Sequence, residues 1–144
     1  MIRKLQKADI DRVMEIWLIS NEGAHPFVNK KYWEANFNEV KKQMLQAEVF
    51  IYEQKSEIQG FVGLVDNYIA GIFVDRKYRS SGVGHKLIKY IKESHNELTL
   101  EVYTKNKGAV NFYKREDFNI ISKQVEPDTD ETEYLMSWNK INFD

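Results

Sequence analysis

Residues 69–88 constrain the fold more than any other part of the chain. Ile69-Ala-Gly-Ile-Phe-Val74 is an unbroken apolar run of the kind that forms a buried strand. A polar turn, Asp75-Arg-Lys-Tyr78, follows it. Then come Arg79-Ser80-Ser81-Gly82-Val83-Gly84, with Val83, Leu87, Ile88 and Ile91 at helical spacing. A strand therefore feeds a glycine-bearing loop that opens a helix. The first turn of a helix has backbone N–H groups without intrahelical partners and carries partial positive charge. Glycine removes the Cβ there and lets an anion reach the backbone. The arrangement predicts a phosphate cradle. A run of small residues at a helix entry also has a plainer reading, packing alone.

Spacing narrows the choice of phosphate. The dinucleotide pattern G-x-G-x-x-G needs a third glycine, and position 87 is Leu. The nucleoside-triphosphate loop needs Gly-Lys-Ser/Thr, and here Gly84 is followed by His85-Lys86-Leu87. Neither fits. A second element lies downstream. Residues 98–104 read as a strand, then come Asn106-x-x-Ala109-x-x-Phe112-Tyr113 and Asp117-Phe118. Taken together, Arg-x-x-Gly-x-Gly between strand and helix and Asn-x-x-Ala-x-x-Phe-Tyr after the next strand resemble the GNAT acyltransferase superfamily. Both elements occur in that family's order and at its separation. The resemblance extends over about residues 1–140. The opening Ser20-Asn-Glu-Gly-Ala-His25-Pro-Phe-Val28, with Tyr32-Trp33 after it, resembles the YjaB-type branch of small single-domain members.

A chain of 144 residues is expected to form one domain, residues 1–144, with a single core. Net charge of −1 gives no global field to recruit nucleic acid or an anionic membrane. The cysteine count is zero, which excludes disulfides and thiolate chemistry and fits a reducing compartment. The N-terminus does not read as a signal peptide, no apolar run reaches membrane-spanning length, and the cytoplasm is the expected location.

Along the chain, residues 2–5 read as a first strand, and Ile10, Val13, Met14, Trp17 and Leu18 recur at helical spacing. Residues 24–29 form a loop. Tyr32, Trp33, Asn36, Phe37, Val40 and Met44 mark a second helix. Strands follow at 49–52 and 59–65, then the two-residue turn Asp66-Asn67 and a return strand to Val74. Helix 83–94, strand 98–104, helix 107–116 and strands near 118–125 and 132–139 complete the order βααβββαβαββ. The resemblance implies an α/β (α+β) fold: a mixed, mostly antiparallel sheet of about seven strands with helices on both faces.

It also implies an activity, transfer of an acetyl group from acetyl-CoA, a cosubstrate, to a primary amine by direct attack in a ternary complex. The anchor for coenzyme A falls on Arg79, Ser80, Ser81, Gly82, Val83 and Gly84. Donors for the acyl oxygen and partners for the pantetheine arm fall on the backbone of Ile72, Phe73 and Val74, on a strand that splays from its neighbour, with Gly71 marking a bulge or a packing contact. Asn106 and Tyr113 match positions that contact the arm and protonate the leaving thiolate. A phenol suits that task because it is neutral at pH 7. The family's usual Gly is Asp117 here, a residue that tolerates the left-handed helix end. Glu101 matches the base of the branch that acetylates protein N-termini, and His25 is the second candidate base. Each of these has an ordinary alternative: a strand carboxylate, a loop histidine, core aromatics. His85 and Lys86 either assist the phosphates or sit solvated on a first turn.

Tyr32, Trp33 and Tyr68 wall an acceptor pocket or fill the core. The run Glu126 to Glu133 reads as an acidic loop that favours a cationic amine. No metal is expected, since His25, His85 and His95 are widely separated. No Ser-His-Asp arrangement appears. A homodimer is in keeping with the family. A non-catalytic acyl-CoA-binding module that regulates a partner is the alternative function.

Overall fold

The computed structural model describes residues 1–140. The end of the expected 1–144 domain lies outside the described residues. Eleven elements follow in the order β1 (Ile2–Lys4), α1 (Ile10–Ala24), α2 (Lys30–Gln46), β2 (Glu48–Gln54), β3 (Glu57–Val65), β4 (Tyr68–Val74), α3 (Val83–Lys92), β5 (Glu97–Tyr103), α4 (Lys107–Arg115), β6 (Asn119–Glu126) and β7 (Glu131–Asn139). This is the expected order. Two single turns of 3₁₀ helix, Lys7–Asp9 and Arg76–Tyr78, were not legible in the sequence. Both are set by aspartates. Asp9 accepts from the backbone N–H of Gln6 at 2.7 Å, and Asp75 from that of Lys77 at 2.9 Å.

The seven strands form one sheet in the order β1-β2-β3-β4-β5-β7-β6. Every pairing is antiparallel except β4 with β5. Alternation along the strands sends side chains to two cores, one on each face of the sheet, where a single core was expected. Phe50, Val62, Leu64, Leu98, Leu100 and Met136 pack under α3 and α4, with Leu87, Ile88, Ile91 and Val110. Val49, Ile51 and Phe61 face the other way, under α1 and α2, with Val13, Met14, Trp17 and Trp33. Helices cover both faces as expected. No helix among the described residues is long and apolar enough to cross a membrane.

Local chemistry fixes the connections. The β2–β3 hairpin turns on Lys55 and Ser56, both at positive φ (53° and 62°). Asn29 caps α2 by accepting from Lys31 N at 2.9 Å. Helix α3 ends at Lys92, two residues before the expected end, where His95 Nδ1 meets the Ile91 carbonyl at 2.7 Å. Asp117 closes α4 at φ 72°, the left-handed conformation expected of that position. The segment read as an acidic loop is shorter than it looked. Glu126 ends β6 and Glu131 begins β7, which leaves Pro127 to Asp130 as the turn.

Candidate active site

Strands β4 and β5 pair at Tyr68–Thr99 and Ile69–Leu100 and then part. The cause lies one strand away. Gly63 of β3 faces Gly71, while Leu64 faces Ile69, so Ala70 is an extra residue on β4. Such a bulge bends its strand. Gly71 is required beside it, because a Cβ there would sit 2.4 Å from the Phe73 ring. The parting opens a cleft of about 990 Å³ through the sheet. Its walls come from both faces: Val83, Gly84, Phe112 and Tyr113 on one, and Trp17, His25, Trp33, Tyr103, Glu101 and Glu133 on the other. The backbone of Ile72, Phe73 and Val74 pairs with β3 on its outer side and borders the cleft on its inner side.

The predicted phosphate loop lies on this cleft. Ser80 and Gly82 both adopt positive φ (65° and 88°), and Gly82 is the residue before α3. Left-handed residues at a helix entry turn successive N–H groups into one concavity, a shape that binds anions. A Cβ on Gly82 would have nothing within 4 Å, so it would project into open space. Arg79, Ser80, Gly82, Val83 and Gly84 all line the cleft. Ser81 does not; its hydroxyl donates to the Tyr78 carbonyl. Gly84 has a packing role the sequence did not reveal, because a Cβ there would press the Phe112 ring at 3.1 Å. It lets α3 approach α4. His85 and Lys86 are both engaged: His85 Nδ1 is 2.9 Å from Glu116, and Lys86 lies over the Tyr52 ring.

Tyr113 is 8% exposed and reaches the cleft from α4, between Phe112 and Phe118. Burial raises its pKa above the ordinary phenol value, so the hydroxyl keeps its proton. Asn106 caps α4, its Oδ1 accepting from Ala109 N at 3.3 Å. That fixes its Nδ2 on the far side, where it donates to His25 Nε2 at 3.1 Å. His25 stands among Phe27, Trp33 and Tyr103 with ring centroids 4.9–5.6 Å away. Burial is the main cause that pushes its pKa down to about 4.

At the other end of the cleft lies a carboxylate group of residues. Tyr68 Oη donates to Glu101 Oε1 at 2.8 Å. Gln124 Nε2 donates to Glu101 Oε2 and to Glu133 Oε2, both at 2.8 Å. Glu133 is 8% exposed, and burial is the main cause that raises its pKa, with Glu101 and Glu126 adding to it. Tyr32, beside Tyr103, Glu126 and Asp128, is pushed up to about 12, mainly by burial. The sequence placed Glu133 in an acidic loop that favours a cationic amine, without singling it out from the other carboxylates, and gave Gln124 no role. The alternation of β7, which pairs Glu133 with Tyr103 on one side and Gln124 on the other, was the available signal.

Among the described residues no group of His, Cys, Asp and Glu is arranged to hold a metal ion. Residues 17–129 match the Acetyltransferase (GNAT) domain family. The chain is 33% identical over 140 residues to the peptidyl-lysine N-acetyltransferase YiaC of Escherichia coli K12, a match that spans 96% of each protein. Its fold is similar to that of apo YjaB from Escherichia coli in solution, with TM-score 0.85, 23% identity and 95% of each chain covered. It is also similar to that of an aminoglycoside 6'-N-acetyltransferase complexed with coenzyme A, with TM-score 0.80, 11% identity, and 100% and 99% of the chains covered.

Proposed function

We propose, given that the chain belongs to the GNAT acetyltransferase family, that its acceptor is a lysine side chain of a protein or peptide. The reaction itself is that of the family: an acetyl group passes from acetyl-CoA to a primary amine. The relative YiaC is named for peptidyl-lysine, and the carboxylate end of the cleft supports the same choice here. A cationic chain about four carbons long needs an opening lined by aromatic rings and ending at negative charge. Tyr32, Trp33 and Tyr103 supply the rings, and Glu101, Glu126 and Glu133 the charge.

The observation that carries the reading is the cleft through the sheet. Acetyl-CoA and the amine must meet without exchanging places, and a cleft open on both faces lets each enter from its own side. The pyrophosphate is held at Ser80 to Gly84 by backbone N–H groups, with Arg79 adding charge. The open space at Gly82 fits that use. The thioester lies along β4. Strand alternation turns the Phe73 N–H toward β3, as it does that of Asp75, and leaves the N–H groups of Ile72 and Val74 for the acyl oxygen as charge develops on it.

Tyr113 donates its proton to the departing sulfur. Glu101 draws in the ammonium, and the carboxylate end takes its proton. His25 is a weak acceptor for that proton, since a pKa of about 4 leaves it neutral and reluctant to charge. Its contact with Asn106 supports a positioning role at the start of α4. The cysteine-free composition supports a cytoplasmic setting, and the exposed edge strand β6, with Ile121 and Val125 each 58% exposed, is the surface that supports a homodimer.

The test is acetylation of a lysine-containing peptide, a peptide with a free N-terminus and no lysine, and an aminoglycoside, each with acetyl-CoA. Thiol release and mass spectrometry read the product. Transfer to the lysine ε-nitrogen is expected. Transfer to the α-amine or to the aminoglycoside alone overturns the acceptor assignment. Binding of acetyl-CoA with no transfer to any amine turns the reading toward a regulatory acyl-CoA-binding module.

A further inference from the structure

An amine that arrives as an ammonium must lose a proton before it can attack. The structure brings Glu133, from the run read as an acidic loop, onto the same amide donor as Glu101. Glu101 is exposed and already satisfied, with Tyr68 donating to one oxygen and Gln124 to the other. Both of its carboxylate oxygens therefore already have a donor. Glu133 has Gln124 as its donor, is nearly buried, and stands beside a second negative group. We infer that Glu133, with Gln124 tying it to Glu101, is the residue that accepts the proton of the incoming ammonium, while Glu101, held by Tyr68 and Gln124, keeps the cation in place. The inference deepens the acyl-transfer reading and rests on it.

The groups around Glu133 agree with this division. On β5 it faces Tyr103, its cross-strand partner, and Glu101 one pleat away. On β6 it faces Gln124, with Glu126 near. On β4 Tyr68, held by Glu101, is within its electrostatic reach. Lys105 is paired elsewhere, with Glu131 at 3.0 Å. Two carboxylates sharing one amide donor resist being charged together, so one of them is driven to take a proton. The buried member is the one that gains more by becoming neutral.

The proton balance is complete without a further reactant. An N–H bond of the ammonium breaks and an O–H bond forms on Glu133. The freed lone pair attacks the thioester carbonyl carbon, and the C–S bond breaks. Tyr113 gives its proton to the sulfur and regains one from the nitrogen as the amide forms. Glu133 then releases its proton to water through the open cleft.

The test compares wild type, Glu133→Gln and Glu101→Gln in kcat/KM against pH, with acetyl-CoA and a short lysine peptide. Glu133→Gln is expected to lose roughly 10²–10⁴-fold near neutral pH and to recover as pH nears the amine's own pKa of about 10.4. Glu101→Gln removes the neighbouring charge, so the acid limb of the profile moves to lower pH. An unchanged neutral rate in Glu133→Gln overturns the assignment. So does a Glu101→Gln variant that loses the acid limb altogether, which would make Glu101 the acceptor.

A second readout needs no turnover. In protein labelled at the glutamate carboxyl carbons, NMR titration should show one signal titrating above the ordinary glutamate range. That signal should vanish in Glu133→Gln and move down in Glu101→Gln. Its absence from the wild type overturns the inference. If Glu133→Gln fails to fold, the shift caused by Glu101→Gln still identifies the coupled neighbour. A wild type that acetylates no lysine peptide defeats the acceptor assignment, and the titration still decides the pair.

Discussion

Two glycines with one residue between them are expected to fail in opposite ways when given a side chain. Gly82 stands at φ 88°, ψ 5° and has open space around its missing Cβ. Gly84 has the Phe112 ring at 3.1 and 3.3 Å from the same point. In Gly82→Ala the left-handed backbone costs about 1–2 kcal/mol for an L residue. At about 2–4 °C per kcal/mol for a chain of this size, the melting temperature should fall by about 2–8 °C. Coenzyme A should suffer more, because the methyl occupies the mouth of the cradle. A hydrogen bond to a charged group contributes about 1.5–3 kcal/mol, so losing one raises Kd by roughly 10- to 150-fold. In Gly84→Ala the methyl is crowded by an aromatic ring, and overpacking of this kind costs about 1–3 kcal/mol. Stability should fall with a smaller change in Kd, and Phe112→Leu in the same chain should restore part of it. Calorimetry with acetyl-CoA and thermal unfolding on both variants make the comparison. Unchanged affinity in a folded Gly82→Ala refutes the cradle. A Gly84→Ala variant that loses affinity and keeps its melting temperature refutes the packing role.

Three further outcomes are expected. Tyr113→Phe keeps the buried ring and deletes the hydroxyl; kcat should fall by roughly 10²–10⁴-fold with little change in KM for acetyl-CoA, and equal turnover would confine Tyr113 to packing. His25 has a folded pKa of about 4 against an ordinary 6.5, so protons favour the unfolded chain. Its contribution is whole above pH 6.5 and is lost as pH falls from there toward 4; urea midpoints at pH 7.5 and 5 should differ less in His25→Gln than in wild type, and equal slopes would sink the argument. Asp117 holds a left-handed φ of 72°, so Asp117→Gly should raise the melting temperature by a few degrees, about 1–2 kcal/mol of relieved strain; a drop would mean the carboxylate itself stabilises the turn.

What the sequence made legible, and what it did not, divides along a physical line. The strand, loop and helix of residues 69–91 are local: an apolar run, a turn and a helical stripe act on neighbours in the chain. Gly82 belongs to that class, because its role depends on its own φ. Gly84 does not. Its neighbour Phe112 lies on α4, and a small residue at a helix entry looks the same whether it meets a phosphate or a ring. His25 lies in the loop where it was read, but its half-burial among Phe27, Trp33 and Tyr103, drawn from three segments, is not local. Glu133 was not singled out for a compositional reason. A dense acidic run suggests a cationic acceptor without saying which carboxylate faces it; Glu126 accepts from Asp128 N and Thr129 N at 3.0 Å, and Glu131 pairs with Lys105. What remains facing inward is Glu133.

The parting of β4 from β5 links these details to the chemistry. A parallel pair surrenders ladder bonds wherever it opens, and an unpaired buried backbone group costs about 1–3 kcal/mol. A sheet would close such a gap if nothing prevented it. Here the extra residue Ala70 bends β4 immediately after its last pairing with β5, and the Phe73 ring lies over Gly71, where no side chain stands in its way. The opening is thus held by covalent length and packing. The backbone groups left along β4 must then find partners elsewhere. The amide-bearing arm of acetyl-CoA offers partners of the same kind, in the same extended form, as an added strand would. The gap also lets α3 and α4 contribute from one face while Glu101 and Glu133 contribute from the other. In the proposed reading, transfer between two substrates held on opposite faces of one sheet rests on a single inserted residue and one absent side chain.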